Sequence, residues 1–144
     1  MSVLLRRATP ADLDAIMHLE RATFVDDAWP ADAMRRELES EHGYYLVAVD
    51  GEADAPGAAL FGYGGLLAPA GSGQGDVQTI AVEPARRGAG LGRALMEALL
   101  AEARRRDAEF VFLEVRADNP VAMRLYESLG YRLLYTACWY RRAV

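Results

Sequence analysis

The run Arg86-Arg87-Gly88-Ala89-Gly90-Leu91-Gly92-Arg93 constrains this chain more than any other segment. It follows Val77-Gln78-Thr79-Ile80-Ala81-Val82, whose alternation and β-branched residues predict a strand. It opens Leu91 to Arg106, the clearest helical pattern in the sequence. There Leu91, Leu95, Ala98 and Leu99 fall on one face, and Glu102 and Arg106 form a favourable i,i+4 pair. A glycine-rich turn from strand to helix lets several N–H groups point at one place. The helix N-terminus adds partial positive charge there, and the arginines add full charge. Such a site suits a pyrophosphate. The run is neither a Walker loop, since Gly-Lys-Ser/Thr is missing, nor a GxGxxG element. The competing reading is a glycine-rich turn with a solvated arginine pair.

The surrounding pattern sets the fold class. Val3 to Arg7 reads as a strand. Thr9-Pro10 then starts a helix of about Ala11 to Phe24, with Leu13, Ile16, Met17, Leu19 and Glu20 at helical spacing. Trp29-Pro30 breaks it before a second helix, about Ala31 to Ser40. Strands are expected at Tyr44–Asp50, at Ala58–Leu67, loosened by Gly62, Gly64 and Gly65, and at Val77–Val82, with a loop at Ala68–Gly75. Phe110 to Arg116 is apolar at almost every position, as in a central strand covered on both faces. Asn119-Pro120 starts a short helix that ends at Gly130, and Tyr131–Thr136 and Ala137–Arg142 form a closing pair of strands. The order β-αα-βββ-α-β-α-ββ predicts an α/β domain: one mixed, mostly antiparallel sheet with helices on both faces.

Composition bounds the rest. With 144 residues, 52% hydrophobic and 26% charged, the chain is expected to form a single domain over residues 1–144. No apolar run approaches the roughly 20 residues that span a bilayer. The N-terminus lacks the pattern of a secretory signal. One cysteine, Cys138, excludes an intramolecular disulfide and a Cys-cluster zinc site. His18 and His42 are far apart and receive no role, and no metal is expected. A net charge of −5 argues against nucleic acid as the main partner. The expectation is a cytoplasmic, metal-free protein with no membrane contact. All 16 basic residues are arginine.

A second motif lies downstream. Phe112-Leu113-Glu114-Val115-Arg116-Ala117-Asp118-Asn119 is followed by Ala122, Leu125-Tyr126 and Leu129-Gly130-Tyr131. With Arg87-x-x-Gly90-x-Gly92 upstream, the sequence resembles the GNAT superfamily of acetyl-CoA-dependent N-acetyltransferases. The resemblance is strong from about Val77 to Tyr131 and weaker over the first half. Within the superfamily it looks most like the bacterial ribosomal-protein N-terminal-alanine acetyltransferases, through Thr79-Ile80-Ala81-Val82, Leu113–Asn119 and Leu125–Gly130. The link between its last two strands is shorter than is usual in that subgroup, where it carries paired tyrosines that shape the peptide site; Trp139-Tyr140 is either a remnant of that pair or simply the closing strand.

The resemblance implies roles. Acetyl-CoA would be the co-substrate, lying where Val77–Val82 and Phe110–Arg116 splay apart. Glu114 would be the general base and Tyr126 the general acid. The backbone of Ile80, Ala81 and Val82 would pair with the pantetheine arm and stabilise developing negative charge. Amides of Arg87, Gly88, Ala89, Gly90, Leu91, Gly92 and Arg93 would hold the pyrophosphate, and Asn119 would contact the cofactor. Trp29 falls where the superfamily's substrate-side loop lies; the alternative is an aromatic staple between two helices. The structural alternatives are an arginine-paired Glu114 and a packing role for Tyr126. The residue types suit the chemistry: a protonated amine cannot attack a thioester, so a base must accept a proton. A carboxylate in an apolar strand has a raised pKa, and a phenol is a neutral donor at pH 7. An α-amine titrates near ~7.8 against ~10.4 for lysine, so freeing a lysine amine is harder by about 3.5 kcal/mol. The preferred acceptor is therefore a protein N-terminal amine, plausibly alanine on a ribosomal protein. A small amine (polyamine, amino sugar or amino acid) is the second reading, and an acyl-CoA-binding sensor without turnover is the third. Glu37, Glu39 and Glu41 form an acidic run that, with the net charge of −5, could attract cationic substrates such as basic ribosomal proteins or polyamines; a solvated helix end is the favoured reading. A monomer and a homodimer are both compatible with the sequence.

Overall fold

The computed structural model describes residues 2–114, 120–135 and 139–143. Its elements, in chain order, are β1 (Val3–Arg7), α1 (Leu13–Thr23), α2 (Ala31–Glu39), β2 (Gly43–Asp50), β3 (Gly62–Leu67), β4 (Gln74–Val82), α3 (Leu91–Arg105), β5 (Phe110–Glu114), α4 (Pro120–Ser128), β6 (Arg132–Tyr135) and β7 (Trp139–Ala143). Short 3-10 turns precede α1 and α3. The seven-stranded sheet runs β1-β2-β3-β4-β5-β7-β6. Among the described residues every neighbouring pair is antiparallel except β4 and β5. The expected architecture and element order are therefore present.

Each helical stripe covers one face of the sheet. Leu13, Ile16, Met17 and Leu19 of α1 and Met34 of α2 pack on Tyr45, Val47, Val49, Tyr63 and Ala81. Leu95, Met96, Leu99 and Leu100 of α3, with Tyr126 and Leu129, pack on Leu46, Leu66, Val77, Val111 and Leu113. Two buried faces explain the near-continuous apolar runs of β2 and β5. Gly130, at φ 95, closes α4 in the left-handed conformation expected of it.

Three boundaries depart from the sequence reading. Alpha-helical geometry starts at Leu13, because the turn Pro10–Asp12 is 3-10. There the Thr9 N–H donates to the Asp12 carboxylate at 2.9 Å, and Arg6 grips the same carboxylate with two bonds of 2.9 Å. β3 begins at Gly62 rather than Ala58, because Ala58 N–H closes a turn on Ala55 and Gly57 sits at φ 78. Its glycines do not loosen it: β3 is almost entirely buried, and a Cβ at Gly65 would lie 2.2 Å from the Tyr45 ring. Finally, β4 starts at Gln74, inside the expected loop, because Gln74 to Val77 pair with β5.

Candidate active site

The one parallel pair opens partway along its length. β4 and β5 pair from Gln74↔Phe110 to Val77↔Leu113. β4 continues along β3 to Val82, whereas Glu114 of β5 pairs across its other edge with Trp139 of β7. On the β3 side, Gly65 faces Thr79 and Leu66 faces Val77, so Gln78 is an extra residue. A bulge of this kind bends its strand and disrupts the ladder. It coincides with the last β4–β5 rung. From Gln78 to Val82 the β5-facing edge of β4 has no strand partner among the described residues. Backbone donors and acceptors left without a ladder are open to an extended ligand. Ile80, Ala81 and Val82 lie on this stretch. Glu114 is the first residue of β5 past the last rung, so its backbone stands at the mouth of the opening. Its side chain, and Val115 to Asn119 entirely, lie outside the described residues.

The start of α3 lies beside the far end of β4. Gly88 and Gly90 hold φ of 85 and 84, and Gly90 is the N-cap. The first helical bond runs from Ala94 N–H to the Gly90 carbonyl, 3.0 Å. The N–H groups of Leu91, Gly92 and Arg93 therefore precede the ladder and face out of the helix end. A Cβ at Gly88 or Gly90 would meet nothing within 4 Å, so the cradle is open. Converging N–H donors, a helix dipole and free space fit a diphosphate. A Cβ at Gly92 would lie 3.7 Å from Leu125 and 3.9 Å from Val82, which places α4, the end of β4 and the start of α3 together.

Both arginines of the Arg86-Arg87 pair touch the protein, although Arg87 is exposed to solvent. Arg87 Nε donates to the Val82 carbonyl at 3.0 Å and ties the loop to β4. The Arg86 guanidinium lies 3.9 Å over the Phe61 ring. Arg93 Nη2 donates to the Ser128 hydroxyl at 2.7 Å, which joins α3 to α4.

Tyr126 on α4 is buried in the core cluster, its ring edge-on to Tyr131 at 6.1 Å. Burial pushes its phenol up to about 12. It therefore keeps its proton throughout the physiological range, and packing and proton donation are compatible roles for it.

Sequence reasoning missed a polar cluster on the opposite face of the sheet. Glu20, on the apolar stripe of α1, is 1% exposed. Its Oε1 accepts from the Thr79 hydroxyl at 3.1 Å and from the Tyr63 hydroxyl; its Oε2 accepts from the Trp29 N–H at 3.0 Å. Burial pushes the Glu20 carboxyl above the usual range, against the pull of the Trp29 and Thr79 bonds. Beside it the Tyr45 hydroxyl donates to the Gln78 side chain at 2.8 Å, so the bulge turns both Gln78 and Thr79 toward this face. The available signal was a glutamate among helix-face leucines, since a buried carboxylate needs partners.

Trp29 is half-buried against the core under α1 and α2, as a staple would be. In the acidic run, Glu39 and Glu41 are exposed, but Glu37 is half-buried and its Oε2 is buried with no hydrogen-bond partner among the described residues. His18 and His42 lie exposed, and Cys138 lies outside the described residues. Among the described residues no cluster of metal-ligating side chains occurs, and no helix is long and apolar enough to cross a membrane.

Comparison with known proteins places these features in a family. The profile of the Acetyltransferase (GNAT) family matches residues 13–131. The chain is 41% identical to the N-alpha-acetyltransferase RimI of Mycobacterium tuberculosis over 127 residues, covering 86% of this chain and 75% of that protein. In fold it matches the crystal structure of the Escherichia coli ribosomal-protein-S18-alanine N-acetyltransferase, with a TM-score of 0.80, 23% identity and coverage of 99% and 94% of the two chains. It also matches Arabidopsis thaliana NAA60 solved with acetyl-CoA, with a TM-score of 0.83, 17% identity and 99% coverage of both chains.

Proposed function

Because the chain belongs to the GNAT acetyltransferase family, we propose that it transfers acetyl from acetyl-CoA to a protein N-terminal amine, with alanine on a ribosomal protein as the acceptor. The observation that carries this reading is the 41% identity with an N-alpha-acetyltransferase over most of the chain. The fold match to an S18-alanine N-acetyltransferase agrees with it. The reaction takes place in a single domain, residues 1–144.

Bound acetyl-CoA supplies the activated thioester. The outward N–H groups at the start of α3, Leu91 to Arg93, hold its pyrophosphate together with the loop amides of Gly88 to Gly90, and Asn119 adds a contact; the Arg87 N–H is already donated to the Pro84 carbonyl at 3.3 Å, so Arg87 contributes no amide. The free β4 edge, Ile80 to Val82, pairs with its pantetheine arm, and the N–H groups of that edge stabilise charge that develops on the acetyl oxygen. Glu114, at the mouth of the opening, accepts a proton from the acceptor amine, directly or through water. Tyr126 holds the proton that meets the departing sulfur.

The test is release of CoA thiol from acetyl-CoA with a short peptide bearing a free N-terminal alanine, against the same peptide with a blocked N-terminus and a panel of small amines. The expected result is turnover with the free peptide alone. Turnover confined to small amines would overturn the protein-acceptor reading and leave the family assignment standing.

A further inference from the structure

The Glu20 cluster links two segments that the acetyl-transfer reading places on opposite sides of one reaction. α3 and its N-terminal loop lie on one face of the sheet; α1, α2 and the chain joining them lie on the other. A cofactor whose pyrophosphate sits at α3 brings its acetyl group into the β4–β5 opening from the α3 face. An attacking amine must then arrive from the opposite face, where Trp29 sits. We propose that Glu20 is a positioning residue for the acceptor: its carboxyl ties the segment around Trp29 to Thr79 at the β4 bulge, and so fixes the acceptor's approach to the opening.

Three features support this role. Glu20 bonds one segment through each oxygen, so it bridges them. The strand end of the bridge, Thr79, adjoins the extra residue Gln78, where the β4–β5 ladder stops. The Tyr63 hydroxyl sits 3.3 Å from the Thr79 hydroxyl and bonds the same carboxyl oxygen, which holds that end from β3 as well. A carboxyl needed only for the core would be a poor choice, since an apolar side chain of similar size packs there without a desolvation cost.

The inference rests on the acetyl-transfer reading of the β4–β5 opening but not on the identity of the acceptor. The experiment uses the full chain and whichever amine the wild-type protein turns over. It measures the acceptor KM, kcat, and the acetyl-CoA Kd by calorimetry. Glu20→Ala severs both arms and should raise the acceptor KM about tenfold, with the acetyl-CoA Kd within about twofold of wild type. Glu20→Gln should restore that KM to within about threefold, because its amide oxygen can accept from Trp29 and its NH2 can donate to the two hydroxyls. If Glu20→Ala does not fold, the Tyr63→Phe/Thr79→Val pair cuts only the strand arm and should raise the acceptor KM about fivefold. An unchanged acceptor KM in the folded variants, an equal loss in acetyl-CoA affinity, or a Gln variant as poor as the Ala variant would each overturn the proposal. Failure of acetyl-CoA to bind the wild-type protein would instead refute the underlying reading.

Discussion

Replacing Gly90 by Asp and, in parallel, by Asn separates charge from shape at the start of α3. Gly90 sits at φ 84 and ψ 7, and a Cβ there touches nothing within 4 Å. Neither substitution creates a clash, so both carry the same left-handed backbone cost, about 1 kcal/mol. Both side chains are good N-caps, and the Asp charge stabilises the helix end by a further ~0.3–1 kcal/mol. The free proteins should therefore melt within a few degrees of each other, with Asp equal or higher. Toward the cofactor the sign reverses. One unit charge about 6 Å from another at an effective dielectric of about 40 costs roughly 1.4 kcal/mol, so a pyrophosphate with two charges loses about 2.8 kcal/mol, or 100-fold in affinity. Calorimetry with acetyl-CoA should thus show Asp binding about 100-fold more weakly than Asn, and the gap should narrow in 0.5 M salt. Equal affinities for the two variants would refute the placement of the pyrophosphate at these amides.

Tyr126→Phe should lower kcat by about 10²-fold with acetyl-CoA affinity retained, and an undiminished kcat would remove Tyr126 as the donor. Since burial raises that phenol from 10.0 to about 12, the stability it confers is complete below pH 10 and lost as pH rises through 12, an alkaline limb absent from the Phe variant. Asp12→Asn should cost about 1–3 kcal/mol at pH 7 by breaking the two-bond grip of Arg6. Burial alone would raise the Asp12 carboxyl, but Arg6 and the Thr9 N–H hold it below its ordinary value. Its stability is therefore present above the ordinary aspartate value of 3.8 and lost as pH falls through the lowered one. Urea unfolding should show the Asn penalty shrinking as pH falls below 3.8; a penalty that stays the same throughout the acid range would sink the ion-pair explanation. Gly65→Ala should cost about 1–3 kcal/mol or more, because its Cβ would enter the buried Tyr45 ring. An unchanged denaturation midpoint would contradict that packing.

What was legible in the sequence was whatever depends on periodicity and on backbone chemistry. The stripe of α1, Leu13 to Glu20, and the left-handed cap at Gly130 follow from local rules, and the structure has both. The Arg86–Arg93 run stands between strand and helix because glycine permits the turn that the motif needs. The start of β3 differs from the sequence expectation because Ala58-Ala59-Leu60 reads as strand locally, while Pro56 and Gly57 impose a turn just before it. The glycines of β3 read as weakness because their reason, the Tyr45 ring against Gly65, comes from a neighbouring strand. Long-range partners also hid the bulge at Gln78 and the bonds of Glu20, whose donors at Trp29, Tyr63 and Thr79 are spread over three segments.

Glu114→Gln, measured as acetyl transfer beside acetyl-CoA binding, tests proton removal from the amine most directly. The substitution keeps size and removes the capacity to take a proton. The kcat should fall by roughly 10²–10⁴, with the acetyl-CoA Kd within about twofold of wild type. Undiminished turnover would contradict the claim that the amine loses its proton at the mouth of the β4–β5 opening.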